Sequence, residues 1–566
     1  MDIPRKNEEC IIAIEDLSRE GEGIGRYGGY TLFVKDAVPG DRVRCVVTKA
    51  GKTFGYAHLL QVITPSPDRR KLPCPVGKTC GGCTLLSMNY EAQLSFKQKL
   101  VEETLRRVGG VSVNVSPVLG APEEFRYRNK AAYPVAEKDG HLIAGFYAQH
   151  SHRIVEAEDC LLSPPEFSAI LRYILSVCEA AGISAYDEAA GKGLLRHILL
   201  RKGFATGEIH VCLIGSGAPP KKKGADAASL AEKIRREFPA VVGVSWNTNT
   251  SRGNAILGND TAVLSGRGYL LDRIGGVTYA VSPESFYQVH PAQTKHLYDK
   301  VREFADLTGN EKVYDLYCGT GTIGLYLADR AERVTGIEIV PRAVEDAKAN
   351  AARNGITNAD FHTGKAEEVL PKLLADLEPD TEENSAPLAK TRPDTGETVI
   401  IVDPPRKGCE RSLLETVLRT KARRMVYVSC DPATLARDLR ILADGGFSIS
   451  RIQPVDMFPQ SCHVETVCVL SKLSEAKNHI SVKVEMDEMD LTAAESKATY
   501  QEIQEWVQEK YGFHVSHLNI AKTKRKCGII ERQNYNLPKS EDSRSPETPK
   551  EKEDAIIEAF KAFKMI

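Results

Sequence analysis

Between residues 286 and 473 short apolar runs alternate with amphipathic helical stretches, and this rhythm is the strongest constraint on the fold. KVYDLYC, RVTGIEIV, ADFHTG, VIIVDPP and MVYVSC read as strands, with helical sequence between them. Parallel neighbours need a crossover, so such alternation forms an open, mostly parallel α/β sheet. A sheet of this kind binds ligands at the carboxyl ends of its strands. Asp315 ends the first strand and leads through Tyr317, Gly319 and Gly321 to Thr322. Glu338 ends the second strand, Asp403 the fourth and Cys430 the fifth.

The glycines of DLYCGTG let the backbone turn tightly and approach a ligand closely. An acidic residue about twenty positions on, here Glu338, can bond both hydroxyls of a ribose. The pattern is not G-x-G-x-x-G, and Tyr317 takes the space a pyrophosphate needs. S-adenosylmethionine therefore fits better than a dinucleotide. Ordinary turn chemistry is the competing reading of a glycine turn; Glu338 and the Asp-Pro-Pro at 403–405 weigh against it. Asp403 has a blander reading too, as a helix cap. Arg406 is placed to pair with a carboxylate or an RNA phosphate.

Cys430 stands just before a helix that opens at Pro432-Ala433, with Asp431 placed to cap it. Backbone N–H groups at a helix start stabilise a thiolate, so a lowered thiol pKa is expected. A methyl transfer to carbon explains the need for one. The C5 atom of a pyrimidine is a poor nucleophile, and thiolate addition at C6 turns the ring into an enolate that attacks from C5. A base must then remove the C5 proton so that the thiol can leave. Glu465, in the apolar run MFPQSCHVETVCVL beside Cys462 and His463, is the candidate base, because a carboxylate there is costly unless paired or functional.

The rest of the 566 residues divides into further domains. Residues 1–65 carry short apolar runs between glycine-rich turns and read as a small OB-like β-barrel, a fold that often binds oligonucleotides. Residues 66–285 form a central β-rich domain, 286–475 the α/β domain, and 476–566 a separate, partly mobile extension. Within the α/β domain LEPDTEENSAPLAKTRPDTGE is read as a surface loop, and in the extension KSEDSRSPETPKEKED as low-complexity. Net charge is −1, so any RNA-binding face is local. Lys97, Lys99, Arg106 and Arg107 on a helix at 90–108 are candidates, with Arg126, Arg128 and Lys130 of FRYRNK; a solvated face is the plain alternative. No run approaches the ~18 apolar residues of a membrane span, and MDIPRKNEEC has no signal core. A cytoplasmic protein without a membrane partner is expected. Fourteen cysteines then argue for metal or thiol chemistry over disulfides. Cys178, Cys212 and Cys468 sit in apolar runs as packing residues. Cys74, Cys80 and Cys83 crowd into CPVGKTCGGC, and such thiolates suit zinc and iron–sulfur alike.

SFYQVHP, DLYCGTGTIG, GIEIV, DPPRKG, YVSCDPATLARDL and MFPQSCHVETV together resemble the RNA (uracil-5-)-methyltransferase family over residues 5–473, most closely its RumA-like 23S ribosomal RNA branch. The resemblance implies a Rossmann-like methyltransferase domain in which Gln288, Tyr317, Glu338 and Asp403 contact S-adenosylmethionine, with Gly319, Gly321 and Thr322 of the glycine turn as further cofactor-binding residues. It implies that Phe286 lines the target base pocket, that Cys430 is the nucleophile and that Glu465 is the base. The first sixty residues resemble that family's TRAM domain. The same resemblance implies a 4Fe-4S cluster on Cys74, Cys80, Cys83 and a distant fourth cysteine, for which Cys160 of AEDCLL is the candidate. Zinc is the second choice. The cluster is expected to staple the central domain and not to transfer electrons. The expected activity is formation of 5-methyluridine in 23S ribosomal RNA by a monomer, with the target base flipped out and no DNA partner. The alternatives are a transfer RNA (uracil-5-)-methyltransferase and a catalytically silent RNA-binding assembly factor. Three features depart from the family pattern: His290-Pro291 stands where Asn-Pro is usual, Cys462 is an extra thiol, and the chain continues beyond Leu473.

Overall fold

The computed structural model describes residues 3–149, 151–157, 159–222, 226–375, 397–420, 422–472, 500–527 and 549–563. It forms two compact units, Met1–Glu475 and Ala476–Ile566. The expected loop at 377–397 lies, except for Glu397, outside the described residues, as does 539–548 of the low-complexity stretch.

The first unit begins with strands β1 (Glu9–Leu17), β2 (Gly23–Tyr27), β3 (Tyr30–Val34), β4 (Arg42–Ala50) and β5 (Phe54–Thr64), closed into a barrel in the order β1-β2-β3-β5-β4. Alternate residues of β1 point inward, so Cys10, Ile12 and Ile14 are buried while their neighbours face solvent. Tyr30, Leu32, Val34, Val43 and Cys45 complete the barrel core.

Helix α1 (Tyr90–Thr104) follows the cysteine segment, and Asn89 caps it by accepting from the Ala92 N–H at 2.9 Å. As the periodicity to 108 predicts, the helical run continues beyond α1, widened into a π-turn over Leu105–Gly109, and ends at Gly110, whose φ is +63°. The central sheet contains β6 (Lys130–Lys138), β7 (His141–Tyr147), β8 (Ile154–Glu156), β9 (Leu195–Lys202), β10 (Ile209–Gly215), β11 (Val241–Thr248) and β12 (Asp260–Gly266), in the order β12-β11-β10-β9-β6-β7-β8. Helices α2 (Glu166–Ala180) and α3 (Ala227–Glu237) close its core, where Cys178 is buried. A hairpin follows, β13 (Leu270–Ile274) and β14 (Val277–Val281). Its Leu270, Ile274, Tyr279 and Val281 join the core of the last sheet.

That sheet contains β15 (Lys312–Leu316), β16 (Arg333–Glu338), β17 (Ala359–Thr363), β18 (Thr398–Val402), β19 (Arg424–Ser429), β20 (Phe447–Val455) and β21 (Glu465–Lys472). Its order is β17-β16-β15-β18-β19-β21-β20, with β21 antiparallel to both neighbours. Helices α4 (Pro291–Ala305), α5 (Thr322–Leu327), α6 (Pro341–Arg353), α7 (Ala366–Ala375), α8 (Arg411–Arg419) and α9 (Pro432–Asp444) accompany the strands. Covered on both faces, the central strands are largely apolar; Val399 to Val402 of β18 are all buried. The strand order reverses between β15 and β18, and an α/β sheet opens a ligand crevice at such a point.

The second unit has helices α10 (Tyr500–Tyr511), α11 (His517–Lys526) and α12 (Lys550–Ala562) around Ile503, Val507, Ile520, Ile556 and Phe560. The basic segment of the extension is α11. Among the described residues no helix is long and apolar enough to cross a membrane.

Candidate active site

One cavity of about 900 Å³ opens at the carboxyl ends of β15 to β18 and extends to Cys430 and Glu465. Its wall gathers Phe286, Gln288, Tyr317, Gly319, Glu338, Asp403, Arg406, Cys430 and Glu465 from positions spread over 180 residues of sequence. The loop after β15 is bent by three left-handed residues, Tyr317 (φ +65°), Gly319 (+55°) and Gly321 (+77°). The tyrosine is the notable one, because a bulky side chain rarely adopts that conformation and persists there only when its surroundings hold it. Glu338 supplies part of the hold: one carboxylate oxygen accepts from the Gly319 N–H at 3.1 Å, the other from Val340 N–H at 2.9 Å.

Gly321 and Thr322 are not on the cavity wall. A Cβ at Gly321 would meet the Phe361 ring at 3.0 Å and the Ala347 side chain at 3.1 Å, so glycine there lets the loop lie against its neighbours. The Thr322 hydroxyl accepts from the Tyr298 hydroxyl at 2.8 Å. Both residues shape the turn from behind. Asp315 stands behind it too: it is buried, accepts from the Gly324 N–H at 2.8 Å, and leaves its other oxygen unpartnered. Burial and the nearby Asp403 and Glu338 push its pKa up to about 7.

Around Cys430 the electrostatics differ from the sequence expectation. The thiol is pushed up to about 12, first by burial and then by the carboxylates of Glu465 and Asp403, with Arg406 opposing. The expected lowering by α9 is outweighed. The Asp431 side chain itself accepts the first free N–H groups of that helix, from Ala433 at 2.8 Å and Thr434 at 3.3 Å. The positive end of the helix is therefore spent on a carboxylate. Glu465 is also raised, by burial and by Asp403, and its Oε2 has no hydrogen-bond partner. Desolvation raises Asp403 as well, and two carboxyls on one cavity disfavour double ionisation.

The entrance is marked by Phe286, whose side chain is free to stack, since the residue is 66 % exposed despite its apolar ring. Gln288 is buried beside it, and the Asn129 amide donates to its carbonyl at 2.8 Å. His290, in place of the usual asparagine, still caps α4: its Nδ1 accepts from the Gln293 N–H at 3.4 Å, and its ring stacks on Tyr127 at 4.4 Å. Burial lowers its pKa to about 4, which keeps Nδ1 free to accept.

The cavity also contains residues the sequence reading did not assign to it. Gly364, Lys365, Ala366 and Glu367 follow β17, and the strand-end rule that singled out Glu338 and Asp403 would have found them. Phe458 and His463 come from the segment before β21, where no local pattern signals them. Lys130, read as an RNA contact, lines this cavity, and burial with Arg201 and Arg128 nearby lowers its pKa to about 7.

The other candidate RNA contacts divide. Lys97 is fully buried, donating to Asp456 at 2.5 Å and to the Phe458 carbonyl at 3.1 Å, so it cannot face RNA. The apolar periodicity of α1 gave no warning, because the partner is 359 residues away. Lys99 pairs with Asp16 of the barrel at 2.7 Å, Arg107 with Glu103 at 3.1 Å and Arg126 with Asp159 at 2.5 Å. These three remain at the surface.

Cys74, Cys80, Cys83 and Cys160 all line a second cavity of about 370 Å³. Burial pushes Cys83 up to about 12, and Cys160, Cys80 and Cys74 add to the effect, which places the four sulfurs within electrostatic reach of one another. Apolar neighbours such as Leu86, Phe146 and Leu162 form most of the remaining wall, with Arg128, Lys130 and Ser163. Four thiols fit a soft metal or an iron–sulfur cluster as a donor set. Among the described residues, however, no group of three or more His, Cys, Asp or Glu side chains is arranged to hold a metal ion. Lys130 lines this cavity as well as the larger one.

Comparison with known proteins agrees with this geometry. The family model of tRNA (Uracil-5-)-methyltransferases matches residues 270–473 and that of the TRAM domain residues 6–60. A protein of Halalkalibacterium halodurans named an uncharacterized RNA methyltransferase is 47 % identical over 467 residues, 82 % of this chain and 97 % of that protein. One of the same description from Clostridium tetani is 40 % identical over 478 residues, 84 % and 99 % of the two chains. The structure of Pyrococcus abyssi tRNA (uracil-54, C5)-methyltransferase with S-adenosyl-L-homocysteine superposes with a TM-score of 0.62 at 27 % identity, covering 81 % of this chain and 99 % of that one. With its TRAM barrel and its S-adenosylmethionine-dependent methyltransferase fold, the chain belongs to the RNA (uracil-5-)-methyltransferase family.

Proposed function

We propose that the protein, as a cytoplasmic monomer, methylates C5 of a uridine in 23S ribosomal RNA through a covalent bond between the Cys430 sulfur and C6. The observation that carries this reading is that Cys430 and Glu465 line the same cavity as Glu338 and Asp403. S-adenosylmethionine supplies an electrophilic sulfonium methyl. Gln288, Tyr317, Glu338 and Asp403 hold it, Glu338 at the ribose hydroxyls, while Gly319 leaves room for the close approach. Phe286 stacks on the flipped uracil, and Arg406 holds the RNA at the mouth. The Cys430 thiolate adds to C6, breaking the C5–C6 π bond and placing negative charge on O4. C5 then takes the methyl group, and the sulfonium leaves as a neutral thioether. Glu465 removes the C5 proton, the C5–C6 double bond re-forms and the Cys430 thiolate departs. A raised carboxyl pKa suits that role, since a stronger base takes a carbon-bound proton more readily.

Cys74, Cys80, Cys83 and Cys160 would hold a 4Fe-4S cluster, zinc being the second choice, and the group would tie the segment after the barrel to the central sheet. Iron and acid-labile sulfide in anaerobically purified protein test this; zinc alone contradicts it.

Ribosomal RNA is favoured by the combination of TRAM barrel and cysteine quartet, on resemblance to the RumA-like branch. A transfer RNA substrate is the second reading, favoured by the likeness to the Pyrococcus abyssi tRNA (uracil-54, C5)-methyltransferase. Mapping 5-methyluridine in ribosomal and transfer RNA from cells lacking the protein decides between them. Loss of a 23S site is expected; loss confined to transfer RNA overturns the substrate assignment.

A further inference from the structure

The turn between β1 and β2 carries the barrel to the nucleophile. It is closed by the Gly21 N–H to the Ser18 carbonyl at 2.9 Å and by the Ser18 N–H to the Glu22 carbonyl at 2.7 Å. Leu17, at its base, packs with Leu85 and Met88, which fixes the turn against the segment leading into α1. From this turn the Arg19 guanidinium reaches Asp431 and donates to its Oδ2, a partner 412 positions away. Asp431 has two jobs besides. Its Oδ1 caps α9, and its N–H donates to the Ser429 hydroxyl at 3.2 Å while its carbonyl accepts from that hydroxyl at 3.0 Å. Cys430 is the residue enclosed by that Ser429–Asp431 pair. Arg19, Asp431 and Cys430 line one small pocket of about 140 Å³, together with Arg406 and His463.

We propose that Arg19, contributed by the barrel, is a positioning residue for methyl transfer, anchoring Asp431 so that the peptide carrying Cys430 is held and its neighbouring carboxylate neutralised. The proposal rests on the reading of Cys430 as nucleophile. Three carboxylates, Asp403, Glu465 and Asp431, surround this thiol from β18, β21 and α9, and Glu20 stands on the barrel turn. Glu465 and Asp403 disfavour a thiolate, and Asp431 and Glu20 bring further negative charge to the small pocket beside it. Arg406 and Arg19 are the guanidinium groups opposing them in the small pocket, with His463 the third basic side chain there. Arg406 comes from the loop after β18, within the catalytic domain, whereas Arg19 comes from the barrel. The nucleophile is thereby fully armed only when the barrel is seated on the catalytic domain, so the RNA-binding module has a part in the chemistry as well as in affinity.

Two measurements on the full chain test this, comparing wild type with Arg19→Ala and Arg19→Lys. The first is the pH dependence of iodoacetamide alkylation of Cys430, followed by mass of its peptide and requiring no RNA. The second is the single-turnover rate of covalent trapping at saturating 5-fluorouridine RNA and S-adenosylmethionine. Arg19→Ala is expected to slow alkylation about threefold at neutral pH, a profile moved alkaline by about half a pH unit. It is expected to slow trapping about fivefold, as suits an ion pair open to solvent. Arg19→Lys restores most of both, because it keeps the charge. Wild-type alkylation and trapping in Arg19→Ala, even with weaker RNA binding, overturns the proposal and makes Arg19 an ordinary RNA contact. Absence of trapping in the wild type instead contradicts the reading of Cys430, while the alkylation profile still judges Arg19.

Discussion

Two cavities in the first unit bring cysteines together with very different neighbours. The smaller surrounds four thiols with aliphatic and aromatic walls and keeps carboxylates out of its lining. The larger presents one thiol, Cys430, together with the carboxyls of half-buried Asp403 and buried Glu465 and a dozen polar neighbours. Thiol density marks a place to hold a soft metal. A solitary thiol next to a base marks a place to do chemistry, because addition and elimination need a proton acceptor as much as a nucleophile. The two cavities touch through Lys130, whose side chain lines both.

The sharpest way to break the contrast is to exchange the consequences of losing a thiol from each cavity. Cys430→Ala is expected to abolish methylation while calorimetric binding of S-adenosylhomocysteine stays within about twofold, since the donor residues are untouched. Glu465→Gln should come next, with turnover lowered about 10²- to 10⁴-fold and a methylated adduct accumulating on unmodified RNA, visible as a shifted band on a denaturing gel. Cys83→Ser belongs to the other cavity. It should lower the melting temperature and RNA affinity, yet leave the rate of methyl transfer at saturating RNA within a few fold. A loss of that rate as large as in Glu465→Gln would erase the distinction between the cavities.

A smaller effect separates fold from chemistry along α1. Lys97→Met leaves Asp456 buried without its cation and should cost about 3–5 kcal/mol of stability in denaturant melts. The pair fixes the segment before β21 that delivers Phe458, His463 and Glu465, so activity should fall in step with the folded fraction. The most general effect is that of pH. Cys430 and Glu465 both ionise above their ordinary values in the free protein. Each must lose a proton to act, so single-turnover formation of 5-methyluridine on unmodified RNA should rise from pH 6 to pH 9 by up to about tenfold per unit. An activity already level above pH 5 would mean that neither shift governs the step.

The sequence revealed the sheet and the strand-end residues because both follow from local rules: apolar period, glycine turns, and ligands at carboxyl ends. Glu338, Asp403 and Cys430 were legible for that reason. Lys97 was misread because burial of a cation depends on a carboxylate far along the chain, and no spacing within α1 reports Asp456. Cys430 was placed correctly, yet its electrostatics were not legible. The helix-start argument is sound, but Asp431 occupies the free N–H groups, and Glu465 arrives from a strand two elements away. Phe458 and the Arg19 contact were invisible for the same reason, being products of domain packing. Gly364 to Glu367 could have been found, since they stand at a strand end like the others.

The central claim is that the reactive thiol is Cys430 and not one of the cysteine quartet. Incubation of the enzyme with S-adenosylmethionine and 5-fluorouridine RNA, followed by digestion and mass analysis of the cross-linked peptide, tests it directly, because fluorine at C5 cannot leave as a proton and the adduct persists. The account predicts one methylated nucleotide bonded through the peptide containing Cys430. A cross-link through Cys74, Cys80, Cys83 or Cys160, or methylation without any cross-link, would contradict it.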